Sequence, residues 1–112
     1  MLEMMELRRY VTASGRDIVG EWLAGLGDAR ARAKIAARLA RVQAGNFGDC
    51  KPVGAGVWEL RVDWGPGYRV YYAMAGRSVV LLLYGGDKRT QAADIATALG
   101  HWKDYKRRMG MK

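Results

Sequence analysis

The chain has 112 residues, half of them hydrophobic, with four Trp and six Tyr, which fits one globular domain (residues 1–112) and excludes a disordered tail. Its 19 Lys and Arg against 11 Asp and Glu give a formal net charge of +8, which favours acidic partners (nucleic acid, ribosome, anionic lipid or an acidic protein) unless the charge serves solubility alone. Cys50 is the only cysteine, so an intramolecular disulfide and a cysteine-rich zinc site are both excluded, and a reducing cytoplasm is the expected location. The N-terminal stretch lacks the apolar core of a signal peptide, and the longest apolar run, Val79–Tyr84, is strand-sized rather than membrane-spanning.

Along the chain, Met4–Thr12 alternates as a first strand, with Met5 and Leu7 set against Glu6, Arg8 and Tyr10. Ser14 is the expected cap of a first helix, with Asp17 three residues on as in a capping box. Ile18, Trp22 and Leu26 make its apolar stripe, and Gly25 and Gly27 end it. Asp28 caps a second helix that runs to Ala44 and stops at Gly45. Ala31, Ile35, Leu39 and Val42 are its buried stripe, and Arg30, Lys34, Arg38 and Arg41 form a cationic stripe that reads first as a solvated face. The short connection predicts that the two helices pack as an antiparallel hairpin.

The glycine-rich segment Gly45–Gly56 reads as a loop. In Val57–Asp63, Trp58, Leu60 and Val62 point one way while Glu59 and Arg61 point the other. A turn at Trp64–Gly67 returns the chain as Tyr68–Met74, with Tyr68, Val70 and Tyr72 on one face and Arg69 and Tyr71 on the other. Ala75–Arg77 turns again into Ser78–Tyr84, completing a three-stranded antiparallel meander. Gly85 and Gly86 release the chain, and Thr90 caps a last helix carrying Ile95, Leu99, Trp102 and Tyr105. The order β-α-α-β-β-β-α predicts an α+β domain.

The chemistry concentrates on the central hairpin and on the loop after the third strand of the meander. Arg61 and Arg69 fall on the same face of neighbouring strands, where two guanidiniums repel unless an anion or carboxylate lies between them. Arginine suits bidentate phosphate contact, and Lys88 and Arg89 sit just before a helix N-terminus, where anions are also favoured. Tyr71, on the Arg69 face, is a candidate to stack on a base. The alternative is structural: Arg61 and Arg69 pair with Glu59, Asp63 or Asp94 and hold the sheet to the last helix. His101, the sole histidine, reads as a surface or packing residue, and one His without a Cys cluster argues against a structural metal site. The Gly65-Pro66-Gly67 and Gly85-Gly86 segments lack the spacing of a phosphate-binding fingerprint and read as turns.

Taken in order, several segments resemble the toxins of the RelE/ParE/HigB superfamily of type II toxin–antitoxin modules, in the branch of phage-derived addiction-module killer proteins. They are Trp22-Leu23, the Asp28–Leu39 helix, Gly45–Asp49, Lys51–Gly54, Glu59–Arg61, Gly65–Tyr72, Gly85–Lys88, Gln91 and Asp94-Ile95. The resemblance implies a compact RelE-like sheet with two N-terminal helices. It implies a cytoplasmic protein silenced by a small cognate antitoxin, with growth inhibition in many relatives by cutting mRNA on the ribosome. Arg61 and Arg69 match the family's sheet arginines and Lys88 its post-strand lysine, which makes these three the expected catalytic residues. The same three, with Tyr71 and Arg89, are the expected nucleic-acid contacts. The tyrosine of the family pattern has two candidates here, Tyr71 and Tyr84.

The implied chemistry is attack of a ribose 2′-oxygen on the adjacent phosphorus, a route that requires no metal and no other cofactor. It requires in-line positioning, charge neutralisation and proton transfer. Arg61 and Arg69 would stabilise the transition state, with Lys88 as a charge stabiliser or an acid–base group. Two other functions remain open: a toxin that binds and inhibits DNA gyrase, as ParE-like relatives do, and an inactive nucleic-acid- or antitoxin-binding protein. The chain has no convincing helix-turn-helix, so DNA contact is expected only through the antitoxin complex, and no membrane partner is expected.

Overall fold

A computed structural model describes residues 3–112. The fold is α+β, built from β1 (Glu6–Arg9), α1 (Ile18–Gly25), α2 (Ala29–Gln43), β2 (Cys50–Gly54), β3 (Val57–Val62), β4 (Tyr68–Gly76), β5 (Val79–Asp87) and α3 (Gln91–Arg108). The five strands form one sheet in the order β1-β5-β4-β3-β2. The expected meander of β3, β4 and β5 is its centre, but the sheet is larger and mixed, because β1 adds to β5 in parallel and β2 adds antiparallel to β3. No helix among the described residues is long and apolar enough to cross a membrane.

Both faces of the sheet are covered. On one, Leu60, Val62, Val70, Tyr72, Val80 and Leu82 pack against Val19 of α1 and Ala31, Ile35, Leu39 and Val42 of α2. On the other, Val57, Tyr71, Ala73, Leu81 and Leu83 pack against Ala98 and Trp102 of α3. Burial on both sides explains the unbroken apolar run of β5, since a strand with one wet face would alternate. Each N-terminal helix leans on the sheet more than on its neighbour, α1 against β5 and α2 against β3, so the expected helical hairpin is two helices laid separately on one face.

Several local expectations change for identifiable reasons. The first strand is shorter than Met4–Thr12, and Tyr10, just beyond it, is buried on the α3 side, where its hydroxyl donates to Asp104 (2.6 Å). Asp17, not Ser14, caps α1, accepting from the backbone N–H of Gly20 at 3.1 Å, while the Ser14 hydroxyl pairs with that of Thr12. Asp28 caps α2 as expected, accepting from Arg30 N–H at 2.9 Å. Part of the Gly45–Gly56 segment is the edge strand β2, which tolerates Pro52 because an edge leaves one row of N–H groups unpaired.

The strand β4 runs on through Gly76, and β5 continues through Gly85 and Gly86 instead of ending at Tyr84. A Cβ at Gly85 would overlap the Trp22 ring, and one at Gly86 would overlap the Asp94 carboxylate, so both glycines serve close approach of a helix to the sheet. Asp87 then caps a short 3₁₀ turn, Lys88–Thr90, that leads into α3. Thr90 is the N-cap of α3 by position, but its hydroxyl donates to Asp94 at 2.6 Å rather than accepting from the backbone.

Candidate functional site

The antiparallel register sets Arg61 of β3 directly opposite Arg69 of β4, and Arg69 opposite Gly86 of β5. Period two sends both arginines to the α3 side, near the end of the sheet where α3 begins. With Asp49, Asp63, Gly67 and Lys88 they line an open cavity of about 230 Å³. Lys88 is held over it by its backbone N–H, which donates to the Gly67 carbonyl at 3.0 Å. Sheet, turn and 3₁₀ segment thus bring Arg61, Arg69 and Lys88 together.

Two arginines side by side require a counter-charge, and Glu59 supplies it. Its side chain is fully buried, 0% exposed. Oε1 accepts from Arg61 Nε at 3.2 Å and lies 3.6 Å from Arg69 Nε. Oε2 accepts from Gln91 Nε2 at 2.6 Å and from the Tyr71 hydroxyl at 3.3 Å. The carboxylate therefore ties together β3, β4 and the first residue of α3. The two arginines differ in solvation: the Arg61 side chain is 33% exposed and that of Arg69 only 9%. Arg69 Nη1 donates to the Tyr68 carbonyl at 3.2 Å, and its Nε is buried without a hydrogen-bond partner among the described residues. Such a cation, held rigidly and incompletely neutralised beside a solvent-open cavity, suits an anionic ligand.

The expected structural pairing is thus realised through Glu59. Asp94 is turned toward Thr90, and Asp63 lines the cavity without an ion pair among the described residues. Tyr71 departs from its expected role: its ring is completely buried and presents no face on which a base could stack. Burial, then the nearby Glu59 charge, push its phenol well above the ordinary range, so the hydroxyl stays protonated as a donor to Glu59. Arg89 is also outside the cavity lining. Its N–H, Nε and Nη2 all bind Asp87, and Arg89 holds that carboxyl below the usual range.

Residues 21–103 of the chain match the family described as "Phage derived protein Gp49-like (DUF891)". An uncharacterized protein of Haemophilus influenzae is 54% identical over 77 residues, covering 69% of this chain and 78% of the relative. The chain belongs to the Gp49-like family of phage-derived proteins. The matched span runs from α1 into the second half of α3 and contains every residue that lines the cation cavity, together with Glu59 and Gln91.

In this Gp49-like protein Tyr84 faces the α3 side and meets His101 edge-on, with ring centroids 5.7 Å apart. It is absent from the cavity lining. His101 is a packing residue, with Nδ1 2.8 Å from the Leu83 carbonyl and its ring stacked on Tyr10 at 4.4 Å. Among the described residues no group of three His, Cys, Asp or Glu side chains is placed to hold a metal ion.

Two features of the site are not apparent in the sequence. Gln91 carries no sign of its bond to Glu59, 32 positions away. Arg38, expected on the solvated stripe of α2, is instead buried. Its Nη1 donates to Phe47 O (3.1 Å), its Nη2 to Asp49 O (3.1 Å) and its Nε to Arg61 O (3.3 Å). Burial, reinforced by Arg41, lowers the affinity of this guanidinium for its proton, a penalty that the three carbonyls offset. The GNFGD motif hints at a fixed loop but does not reveal its anchor.

Proposed function

We propose that the protein is the toxin of a type II toxin–antitoxin module, an mRNA endoribonuclease that acts on the ribosome in the cytoplasm and is silenced by a cognate antitoxin. The observation that carries this reading is the pairing of Arg61 and Arg69 on one rigid sheet face, with Lys88 above them around a solvent-open cavity. Membership of the Gp49-like family supports the toxin assignment, because that branch is the addiction-module killer group the sequence resembles.

In this mechanism the scissile phosphate enters the cavity and the ribose 2′-oxygen attacks phosphorus. Arg69 and Arg61 stabilise the charge that develops on the phosphoryl oxygens. Lys88, an exposed member of the lining, serves the departing 5′-oxygen, either by charge or by proton donation. Glu59, buried and bonded by Arg61, Tyr71 and Gln91, acts as a positioning group that fixes the angle of both guanidiniums. The ribosome holds the mRNA in line, so the protein need supply only charge and proton transfer. An acidic antitoxin would be steered by the +8 charge, and DNA would be reached only through that complex.

Brief induction in bacterial cells, combined with mapping of mRNA 5′ ends and measurement of plasmid supercoiling, tests the proposal. New cuts confined to translated regions, with supercoiling unchanged, are expected. Growth arrest with intact mRNA and altered supercoiling would replace the ribonuclease with a gyrase-binding toxin, and normal growth would leave a binding protein without toxic activity.

A further inference from the structure

The ribonuclease reading requires a group that accepts the 2′-hydroxyl proton, and the cation cavity offers few. Glu59 accepts from Arg61, Gln91 and Tyr71 and is sealed from solvent. Tyr71 is buried with its proton engaged on Glu59. The two remaining carboxylates that line the cavity are Asp49 and Asp63.

These two are held very differently. The Asp49 carbonyl accepts from both Arg38 Nη2 (3.1 Å) and Arg61 N–H (3.0 Å). Arg38 also grips the carbonyl of Phe47, two residues earlier. Gly48 between them has φ +61°, and a Cβ there would lie 2.9 Å from Arg38 Nη1, so the turn is closed against the guanidinium. A buried cation is thus committed to fixing two carbonyls of one short loop and, through Arg61 O, to tying that loop to β3. That loop presents a carboxylate whose side chain is 65% exposed, with Oδ1 3.9 Å from Arg61 Nη1. Asp63 sits on the β3–β4 connection, and no side-chain hydrogen bond or ion pair holds it among the described residues.

We infer that Asp49 is the general base of the cleavage reaction and that Arg38 is its positioning residue; the inference rests on the ribonuclease reading above. The Asp49 carboxylate takes the proton of the 2′-hydroxyl as the 2′-oxygen bonds to phosphorus. The bond from phosphorus to the 5′-oxygen breaks, and the leaving oxygen takes a proton from the Lys88 ammonium. The products are a 2′,3′-cyclic phosphate and a free 5′-hydroxyl. Asp49 then releases its proton to water, and Lys88 regains one from water, which restores the starting charges.

The test uses the purified protein, bacterial ribosomes carrying a defined mRNA, and the same mRNA with 2′-deoxy sugars at the codon to be cut. Cutting of the first and binding to ribosomes carrying the second are measured for wild type, Asp49→Asn, Asp49→Glu and Asp63→Asn. Asp49→Asn is expected to slow cutting about 100-fold or more, the scale of general base catalysis, while binding to the 2′-deoxy complex is unchanged or tighter because a negative charge has left a cationic site. Asp49→Glu, which restores a carboxylate, is expected to recover part of the rate. A merely structural role would weaken binding and cutting together, and that result overturns the assignment. So does unimpaired cutting by Asp49→Asn, or a selective loss in Asp63→Asn. Failure of the wild type to cut the all-ribose mRNA overturns the ribonuclease reading and the general base with it.

Discussion

Replacing Glu59 by Gln keeps the size of the side chain and removes its charge. In the native protein this carboxylate is completely buried, 3.6 Å from an Arg69 Nε that has no hydrogen-bond partner among the described residues. Breaking a buried pair by neutralising one partner costs about 3–5 kcal/mol, because the other charge is left uncompensated away from water. Arg69, with a side chain 9% exposed, bears that penalty, whereas Arg61 is a third exposed and water screens much of its loss. The expected loss is therefore at the lower end, about 3 kcal/mol. For a domain of this size each kcal/mol shifts Tm by about 4 °C, which gives a fall of roughly 12 °C. Since small domains hold about 5–15 kcal/mol in total, the variant should still fold in the cold. Urea unfolding measured by Trp fluorescence and circular dichroism gives the free-energy change, and an unchanged slope confirms that the variant unfolds as the same two-state unit. The double variant Glu59→Gln/Arg69→Met should regain part of the loss, since the unpaired charge is gone. A Glu59→Gln loss below about 1 kcal/mol, or strict additivity in the double variant, would refute the view that Glu59 neutralises a buried cation.

The packing makes two other predictions. A methyl group at Gly85 would enter the Trp22 ring, so Gly85→Ala should lose about 1–3 kcal/mol, partly recovered by Trp22→Leu; thermal melts that show no loss would contradict the close approach of α1 to β5. Tyr71 and Tyr72 both have phenols raised by burial, so the protonated form favours the fold. The associated stability is fully present below the free phenol value of about 10 and is lost as pH rises through the raised values. Tyrosinate absorbance recorded alongside circular dichroism should show these two rings ionising only as the protein unfolds; their ionisation near pH 10 in the folded state would contradict their burial.

The parts readable from the sequence are those set by local geometry. Asp28 capping α2, its buried stripe Ala31-Ile35-Leu39-Val42, and the facing of Arg61 and Arg69 come from periods of 3.6 and 2 and a short turn. The features that escape such a reading depend on distant partners. The strand β2 reads as loop because Pro52 and Gly54 are poor strand formers, and only pairing with β3 makes it a strand. Gly85 and Gly86 resemble a strand terminator until Trp22 and Asp94 are seen to need the space. Alternation puts Tyr71 on the correct face but does not reveal that α3 covers that face. Arg38 belongs to a stripe of similar cations, and only the position of the Phe47–Asp49 carbonyls separates it from Arg30, Lys34 and Arg41. Within the site, the cation pair and Glu59 as a candidate counter-charge are apparent from period alone, whereas the bonds of Glu59 to Tyr71 and Gln91 and the anchored Asp49 emerge only when loop, strand and helix are assembled.

The central claim is that the Arg61–Arg69–Lys88 cavity is where RNA is cut. The most direct measurement compares Lys88→Gln with Lys103→Gln, a substitution of an exposed cation on α3 outside that cavity, in the ribosome cleavage assay. Both side chains are exposed, so both variants should fold as the wild type does, and each removes one positive charge. The account predicts that Lys88→Gln cuts at least about 10-fold more slowly while Lys103→Gln stays near the wild-type rate. Equal rates for the two variants would mean that charge anywhere on the surface suffices, and the cavity would lose its claim to the chemistry.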